Sequence, residues 1–198
     1  MWTAAILAGG RARRLGGRAK GTLHVGDRPI LERQLEVLRP LASEVLLVAN
    51  DPAAYGGFGV PVVPDLIPGA GPLGGLYTAI SAARHPCTLV VACDMPFLTA
   101  PFLDRLVTAA TRPDVDAAVP HPVDGWQPLC AAYTRRSADA IRRQITAGNL
   151  KVIDVLAALR VHAIGPAEIA RYDPDGILFF NVNTPDDYRR ALELMARR

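Results

Sequence analysis

Thr3-Ala4-Ala5-Ile6-Leu7-Ala8-Gly9-Gly10 is an apolar run that stops at paired glycines. A strand buried on both faces reads this way, because helices cover a parallel sheet above and below. Working outward, Pro29–Leu38 reads as a helix with Ile30, Leu31, Leu35 and Leu38 on one apolar face. Asp27 is placed to cap it and Pro29 to sit in its first turn. Val45–Ala49 and Val60–Val63 read as strands, Leu73–Arg84 as a helix, Thr88–Ala92 as a strand and Ala100–Ala110 as a helix. This alternation predicts an α/β fold with a mainly parallel sheet between helices.

The second half is less regular. Asp116–Pro120 and Gln127–Tyr133 read as strands around an Asp124-Gly125 turn, and Ser137–Ala147 and Val152–Leu159 as helices. Ile177–Phe180 is expected to form a strand. Pro185–Arg197 reads as a last helix, with Thr184 as its cap and Asp186-Asp187 in its first turn.

Composition sets the frame. The chain has 198 residues, half of them hydrophobic and 21% charged, with a net charge of +3. That is globular usage, and it excludes disordered, collagenous and coiled-coil classes. One domain over 1–198 is expected. No apolar run approaches the ~20 residues of a membrane span. The start lacks the basic segment of a signal peptide. Three cysteines, Cys87, Cys93 and Cys130, make an odd set and suit a reduced, cytoplasmic setting.

Ligands of open α/β sheets bind beyond the carboxyl ends of the strands. After the four first-half strands come Gly9-Gly10, Asn50-Asp51, Pro64-Asp65 and, through Cys93, Asp94. Any one of these can simply start a turn. Four of them beside a glycine loop indicate a site. Residues 9–20 carry five positive charges (Arg11, Arg13, Arg14, Arg18 and Lys20), and no acidic residue precedes Asp27. Glycines let exposed N–H groups approach a ligand, and with cationic side chains they suit a polyphosphate. A solvated basic loop is the alternative. The loop is not a P-loop, since no Gly-Lys-Ser/Thr follows. Asp94, a lone carboxylate facing such a loop, is what Mg²⁺ needs, because this ion takes one or two carboxylates plus phosphate oxygens and water.

Gly69-Ala70-Gly71-Pro72-Leu73-Gly74 matches the dinucleotide fingerprint, with Asp94 20 residues beyond Gly74. Pro64 and Pro68 separate it from its strand, and Pro72 removes an N–H from the turn that should hold a pyrophosphate. An NAD(P) oxidoreductase is therefore the alternative of another class. A nucleic-acid binder is disfavoured, because Trp2 is the single aromatic residue before residue 27 and gives no stacking platform. His24, His85, His121 and His162 show no metal spacing.

Leu7-Ala8-Gly9-Gly10, then Arg14, Gly16-Gly17 and Lys20, resembles the signature loop of the molybdenum cofactor guanylyltransferase (MobA) family. Gly69, Gly71-Pro72-Leu73, Gly75, Cys93-Asp94-Met95-Pro96-Phe97, Gln127-Pro128-Leu129-Cys130 and Phe180-Asn181-Val182-Asn183-Thr184-Pro185 match later family motifs in order. The first loop is shared by many nucleotidyltransferases. The Gly-Pro-Leu turn and the Asn-Val-Asn-Thr-Pro segment are more specific, and the resemblance spans nearly the whole chain.

The resemblance implies a Rossmann-like nucleotidyltransferase fold in a single domain, with a nucleotide-binding half over about residues 1–110 and an acceptor-substrate half over about 111–198. It implies transfer of GMP from GTP to the phosphate of Mo-molybdopterin, with Mg²⁺ as cofactor, and a sister enzyme using CTP or another nucleotide is the alternative. By the resemblance Leu7, Ala8, Gly9, Lys20, Asn50, Asp65 and Asp94 would bind the nucleotide. Asp94 would also hold the metal, and Arg14, Lys20 and Asp94 would be catalytic. Gly17, Gly71, Asn181 and Asn183 fall on the acceptor side. Transient contact with cofactor-synthesis or acceptor enzymes is expected, and no nucleic acid or membrane partner. One position departs from the family pattern: Ala19 stands before the loop lysine, where Asp or Asn is common.

Overall fold

A computed structural model describes residues 1–9, 11–12 and 18–197, without the side chains at 11, 12, 18 and 19. Gly10, Arg14 and Gly17 lie outside the described residues. Seven strands form the main sheet: β1 (Thr3–Leu7), β2 (Glu44–Val48), β3 (Val62–Val63), β4 (Cys87–Ala92), β5 (Ala117–Pro120), β6 (Cys130–Thr134) and β7 (Val161–Ile164). Their order is β7-β5-β6-β4-β1-β2-β3. Pairing is parallel from β4 through β1 and β2 to β3, and again between β5 and β7. Within this sheet β6 alone runs antiparallel to both of its neighbours, and two short antiparallel pairs, 11–12 with 18–19 and 24–25 with 28–29, lie outside it. The expected mainly parallel sheet is thus present.

Helices α1 (Ile30–Leu38), α2 (Gly71–Ala82), α3 (Ala100–Ala110), α4 (Ser137–Thr146), α5 (Pro166–Ile169) and α6 (Pro185–Ala196) pack around the sheet. Alternation along β1 divides the core. Ala4 and Ile6 pack with Leu35 of α1 and Phe102 of α3, whereas Ala5 and Leu7 pack with Leu76 of α2 and Ile141 of α4. Every residue of β1 is buried, which is why its sequence reads as unbroken apolar. A smaller cluster joins Val25, Ile30 and Phe97 to Val182 and Ala191, tying α6 to the chain after β4.

Several local expectations change. Asp27 does not cap α1, because Pro29 occupies the cap position and Asp27 pairs with Arg28 and Arg33. Helix α2 begins two residues before Leu73, with Pro72 in its first turn. The strand expected at 127–133 starts only at Cys130, after a loop that turns at Gly125. The expected strand Ile177–Phe180 is not formed. The Asp173 carboxylate accepts from the N–H groups of Ile177 and Leu178, and Phe180 N–H donates to the Ile177 carbonyl, so local bonds replace a ladder. Strand β7, unforeseen in the sequence, closes the sheet on the far side of β5. Residues 152–158 wind as 3-10 helix. The last helix forms as expected: Thr184 and Asp187 make a complete capping box.

Candidate active site

Parallel pairing brings the carboxyl ends of β1, β2, β3 and β4 to one edge. There a cavity of about 500 Å³ opens, lined among others by Leu7, Gly9, Lys20, Asn50, Asp65 and Asp94. Residues spread over 88 positions of sequence thus share one cavity, as the strand-end argument required.

Lys20 is the hub of the charged end. Its Nζ donates to Asp94 Oδ2 at 3.0 Å and also to Asn183 Oδ1. The lysine is thus held across the cavity by β4 and by the segment before α6, which answers how it is placed without an acidic residue at position 19. Asn183 is itself held. Its N–H and that of Thr184 donate to Asp187 Oδ2 at 3.0 and 2.8 Å. Burial opposes the Asp187 charge, but these two bonds, the Thr184 hydroxyl and the nearby Lys20 charge hold its carboxyl below the usual range.

Asp94 is anchored through its backbone. Its carbonyl accepts from Val182 N–H at 2.9 Å, and the preceding Cys93 N–H donates to the Leu7 carbonyl at 3.1 Å. Asp94 Oδ1 is buried and has no hydrogen-bond partner among the described residues. A buried carboxylate oxygen without a donor is costly unless a cation or ligand meets it. That atom fits one ligand position of Mg²⁺ with phosphate and water completing the shell. No group of three His, Cys, Asp or Glu that could hold a metal occurs among the described residues. A site of this kind therefore depends on the nucleotide to supply further oxygens.

The opposite wall is different. Asn50 Nδ2 donates to Asp65 Oδ2 at 2.7 Å, and Asp65 N–H donates to Asn50 Oδ1 at 2.9 Å. This reciprocal pair locks the loops after β2 and β3 together. Gly69, Gly71, Pro72 and Gly75 line the same cavity. The glycine segment that matched a dinucleotide fingerprint is therefore a wall of this one site. Gly69 and Gly71 have φ of +81° and +58°, a left-handed backbone that explains the glycines. Gly75 faces Leu7 and Asp65, where a Cβ would meet Leu7 at 3.6 Å and Asp65 Oδ1 at 3.9 Å.

Not every expected residue lines the cavity. Ala8 is buried, and its carbonyl accepts from the Tyr55 hydroxyl at 3.1 Å. Asn181 donates from Nδ2 to the Phe179 carbonyl and shapes the turn before Asn183. Arg14 and Gly17 lie outside the described residues. Gly75 was named as a motif position without a role, and two contributors were missed in the sequence: Tyr55, and Gln34, which bonds the β4 end from below. Gln34 had a signal, as a polar residue on the apolar face of α1. Cys93 lines the cavity, but burial and then the Asp94 charge push its thiol up to about 12, so it is no thiolate nucleophile.

The family model described as "MobA-like NTP transferase domain" matches residues 4–162, from Ala4 in β1 to His162 in β7, and so takes in the whole cavity edge of the sheet. The chain belongs to the MobA-like NTP transferase family. Among curated relatives in this family, a probable molybdenum cofactor guanylyltransferase of Pelotomaculum thermopropionicum is 38% identical over 189 residues, spanning 96% of this chain and 91% of that protein. A molybdenum cofactor guanylyltransferase of Desulfosudis oleivorans is 31% identical, spanning 96% and 93%. The crystal structure of molybdopterin-guanine dinucleotide biosynthesis protein A from Archaeoglobus fulgidus superposes with a TM-score of 0.88 at 29% identity, covering 99% of this chain and all of that one. The 2-C-methyl-D-erythritol 4-phosphate cytidylyltransferase of Thermus thermophilus, at 23% identity and a TM-score of 0.72, shares the fold. The MobA-like assignment removes the NAD(P) alternative, since the glycine segment belongs to the transferase cavity. No helix among the described residues is long and apolar enough to cross a membrane.

Proposed function

We propose that the protein transfers GMP from GTP to the phosphate of Mo-molybdopterin, forming molybdopterin guanine dinucleotide and releasing pyrophosphate. The observation that carries this reading is the Lys20–Asp94–Asn183 cluster at the mouth of the strand-end cavity. It occurs in a chain 38% identical to a probable molybdenum cofactor guanylyltransferase. GTP lies over the loops after β1 to β3, with Leu7, Gly9, Asn50 and Asp65 around it. The acceptor enters between Gly71 on the glycine wall and Asn183 beside Lys20.

The attacking group is a phosphate monoester, whose second pKa near ~6 leaves it largely dianionic at pH 7. No general base is required, and Cys93 is not ionised to act as a nucleophile. The chain's task is to bring two polyanions together and to meet the charge that grows on the leaving pyrophosphate. Lys20 supplies an ammonium already oriented by two partners, so little rearrangement is needed as charge develops. Asp94 is the residue that would hold Mg²⁺, through the buried Oδ1. When bound, the ion supplies neutralisation of the phosphate oxygens and of the leaving group. Asn183 orients Lys20, and Arg14 adds positive charge from the basic loop. The unpaired cysteines suit the cytoplasm.

The test is pyrophosphate release from GTP with Mg²⁺ and Mo-molybdopterin, with CTP and ATP arms and identification of the dinucleotide. GTP is expected to be used in preference. Preference for CTP would overturn the base assignment, and release with none of the three would overturn the reading. EDTA should stop turnover and Mg²⁺ restore it.

A further inference from the structure

Gln34 lies on the inner face of α1 and is 1% exposed. Its Nε2 donates to the Ala92 carbonyl at 2.8 Å and to the Met95 carbonyl at 3.0 Å. These are the first and last residues of the turn that carries Cys93 and Asp94. One amide nitrogen spends both of its hydrogens on the two ends of that turn. The orientation of the amide is fixed by chemistry, since two carbonyl oxygens can only face a donor. Gln34 Oε1 is left buried and unpaired among the described residues. Ile30, Leu31, Leu35 and Leu38 share this buried face, so stability alone calls for an apolar residue here.

The Asp94 carboxylate has little else to aim it. Its one side-chain partner among the described residues is Lys20, and Oδ1 has none. Once phosphates draw on the lysine, the direction of the carboxylate depends on the backbone of 92–95. That backbone is held at five points among the described residues: the Ala92 and Met95 carbonyls on Gln34, Ala92 N–H on the Leu129 carbonyl, Cys93 N–H on the Leu7 carbonyl, and the Asp94 carbonyl on Val182 N–H. Gln34 supplies two of the five, the two that hold both ends of the turn from one side chain.

We propose that Gln34 is a positioning residue that clamps the Ala92–Met95 turn and so aims the Asp94 carboxylate into the cavity. The inference rests on the nucleotidyl-transfer reading. It predicts that loss of the two donors is felt at Asp94, as metal binding and as turnover, more than as loss of fold.

The experiment compares wild type with Gln34→Met and Gln34→Glu. Met has similar length, removes both donors and also removes the unpaired Oε1. Glu keeps the shape but sets a carboxylate against two carbonyls. Mn²⁺ binding is read by electron paramagnetic resonance in the presence of GTP and without acceptor, so the readout does not need turnover. Melting temperature, GTP affinity without metal, and kcat against metal concentration are measured beside it. Expected for Gln34→Met are a melting temperature within a few degrees of wild type and unchanged metal-free GTP affinity. Mn²⁺ affinity should be at least tenfold weaker, and kcat at least tenfold lower with partial recovery at high metal. Gln34→Glu should lose more Mn²⁺ affinity than Gln34→Met. Unchanged Mn²⁺ affinity, or a rate that falls only with the folded fraction, would overturn the proposal. Failure of both variants to fold would also overturn it, by making the residue a support of the fold. A wild-type protein that neither binds Mn²⁺ with GTP nor releases pyrophosphate would instead overturn the transferase reading.

Discussion

Replacing Asp94 with Asn separates the two jobs the structure gives this residue. Lys20 Nζ stands 3.0 Å from Asp94 Oδ2, with side chains 20% and 14% exposed. At an effective dielectric near 20, unit charges at that distance attract by about 5–6 kcal/mol. Desolvation of both ions offsets most of this, and Asn still offers the lysine an oxygen. The net loss of stability should be about 1–2 kcal/mol. For a chain of 198 residues that lowers the melting temperature by roughly 2–8 °C. Such a protein remains folded at 25 °C, given typical stabilities of ~5–15 kcal/mol. Turnover should respond differently. Asn has no charge to hold a cation at the buried Oδ1 position, and removing one preorganised group at a developing charge costs about 10²–10³-fold. The assay is pyrophosphate release at saturating GTP, Mg²⁺ and Mo-molybdopterin, beside a melting curve. A variant within about threefold of wild-type kcat would refute the role of Asp94. So would one whose rate loss follows its unfolding.

Lys20→Ala should lower kcat more than Asn50→Ala, because the lysine acts on developing charge while Asn50 locks a wall through Asp65; equal losses confined to GTP affinity would contradict this. Gly75→Ala should fold as well as wild type or better, since its Cβ finds ordinary contacts at 3.6 Å and Ala favours helix by about 1 kcal/mol. GTP should nevertheless bind several-fold more weakly, because the methyl enters the cavity. Gly74→Ala should instead destabilise by about 1–3 kcal/mol, because its Cβ would lie 2.8 Å from Ala70 Cβ and 3.1 Å from the Ile67 carbonyl; calorimetry separates the two glycines. Asp116, bonded first by Arg160 and also by Arg136, has its carboxyl held well below the usual range. A depressed carboxylate stabilises above its unfolded pKa of ~3.9 and loses that contribution as pH falls through the folded value. Asp116→Asn should therefore lose about 1–2 kcal/mol at pH 7 and less below pH 3, the arginines being half exposed. A pH-independent difference would contradict the ion pair.

Legibility followed the physics of each signal. Strands of the first half were visible because burial on both faces demands continuous apolar residues. Boundaries slipped where a polar side chain took over backbone bonding, as Asp173 does at 177–178. The edge strand β7 was missed because Val161, His162 and Ala163 are only partly buried or exposed and carry no unbroken apolar signal. Asn50, Asp65 and Asp94 were legible as polar residues after apolar runs, and Lys20 as a cation of the glycine loop. Gln34 and Tyr55 were not, because each acts from beneath the site through a backbone carbonyl that the sequence does not show.

The sequence by itself determined the alternation of strands and helices, the glycine loop with its unopposed positive charge, and the family. It did so because periodicity and charge are local properties of the chain. Tertiary structure alone decided which polar residues meet. It set Lys20 between Asp94 and Asn183, residues 74 and 163 positions away, and hung the Asp94 turn on a glutamine from α1. Those contacts depend on strand order and on the docking of α6, which only the packing of the whole sheet settles.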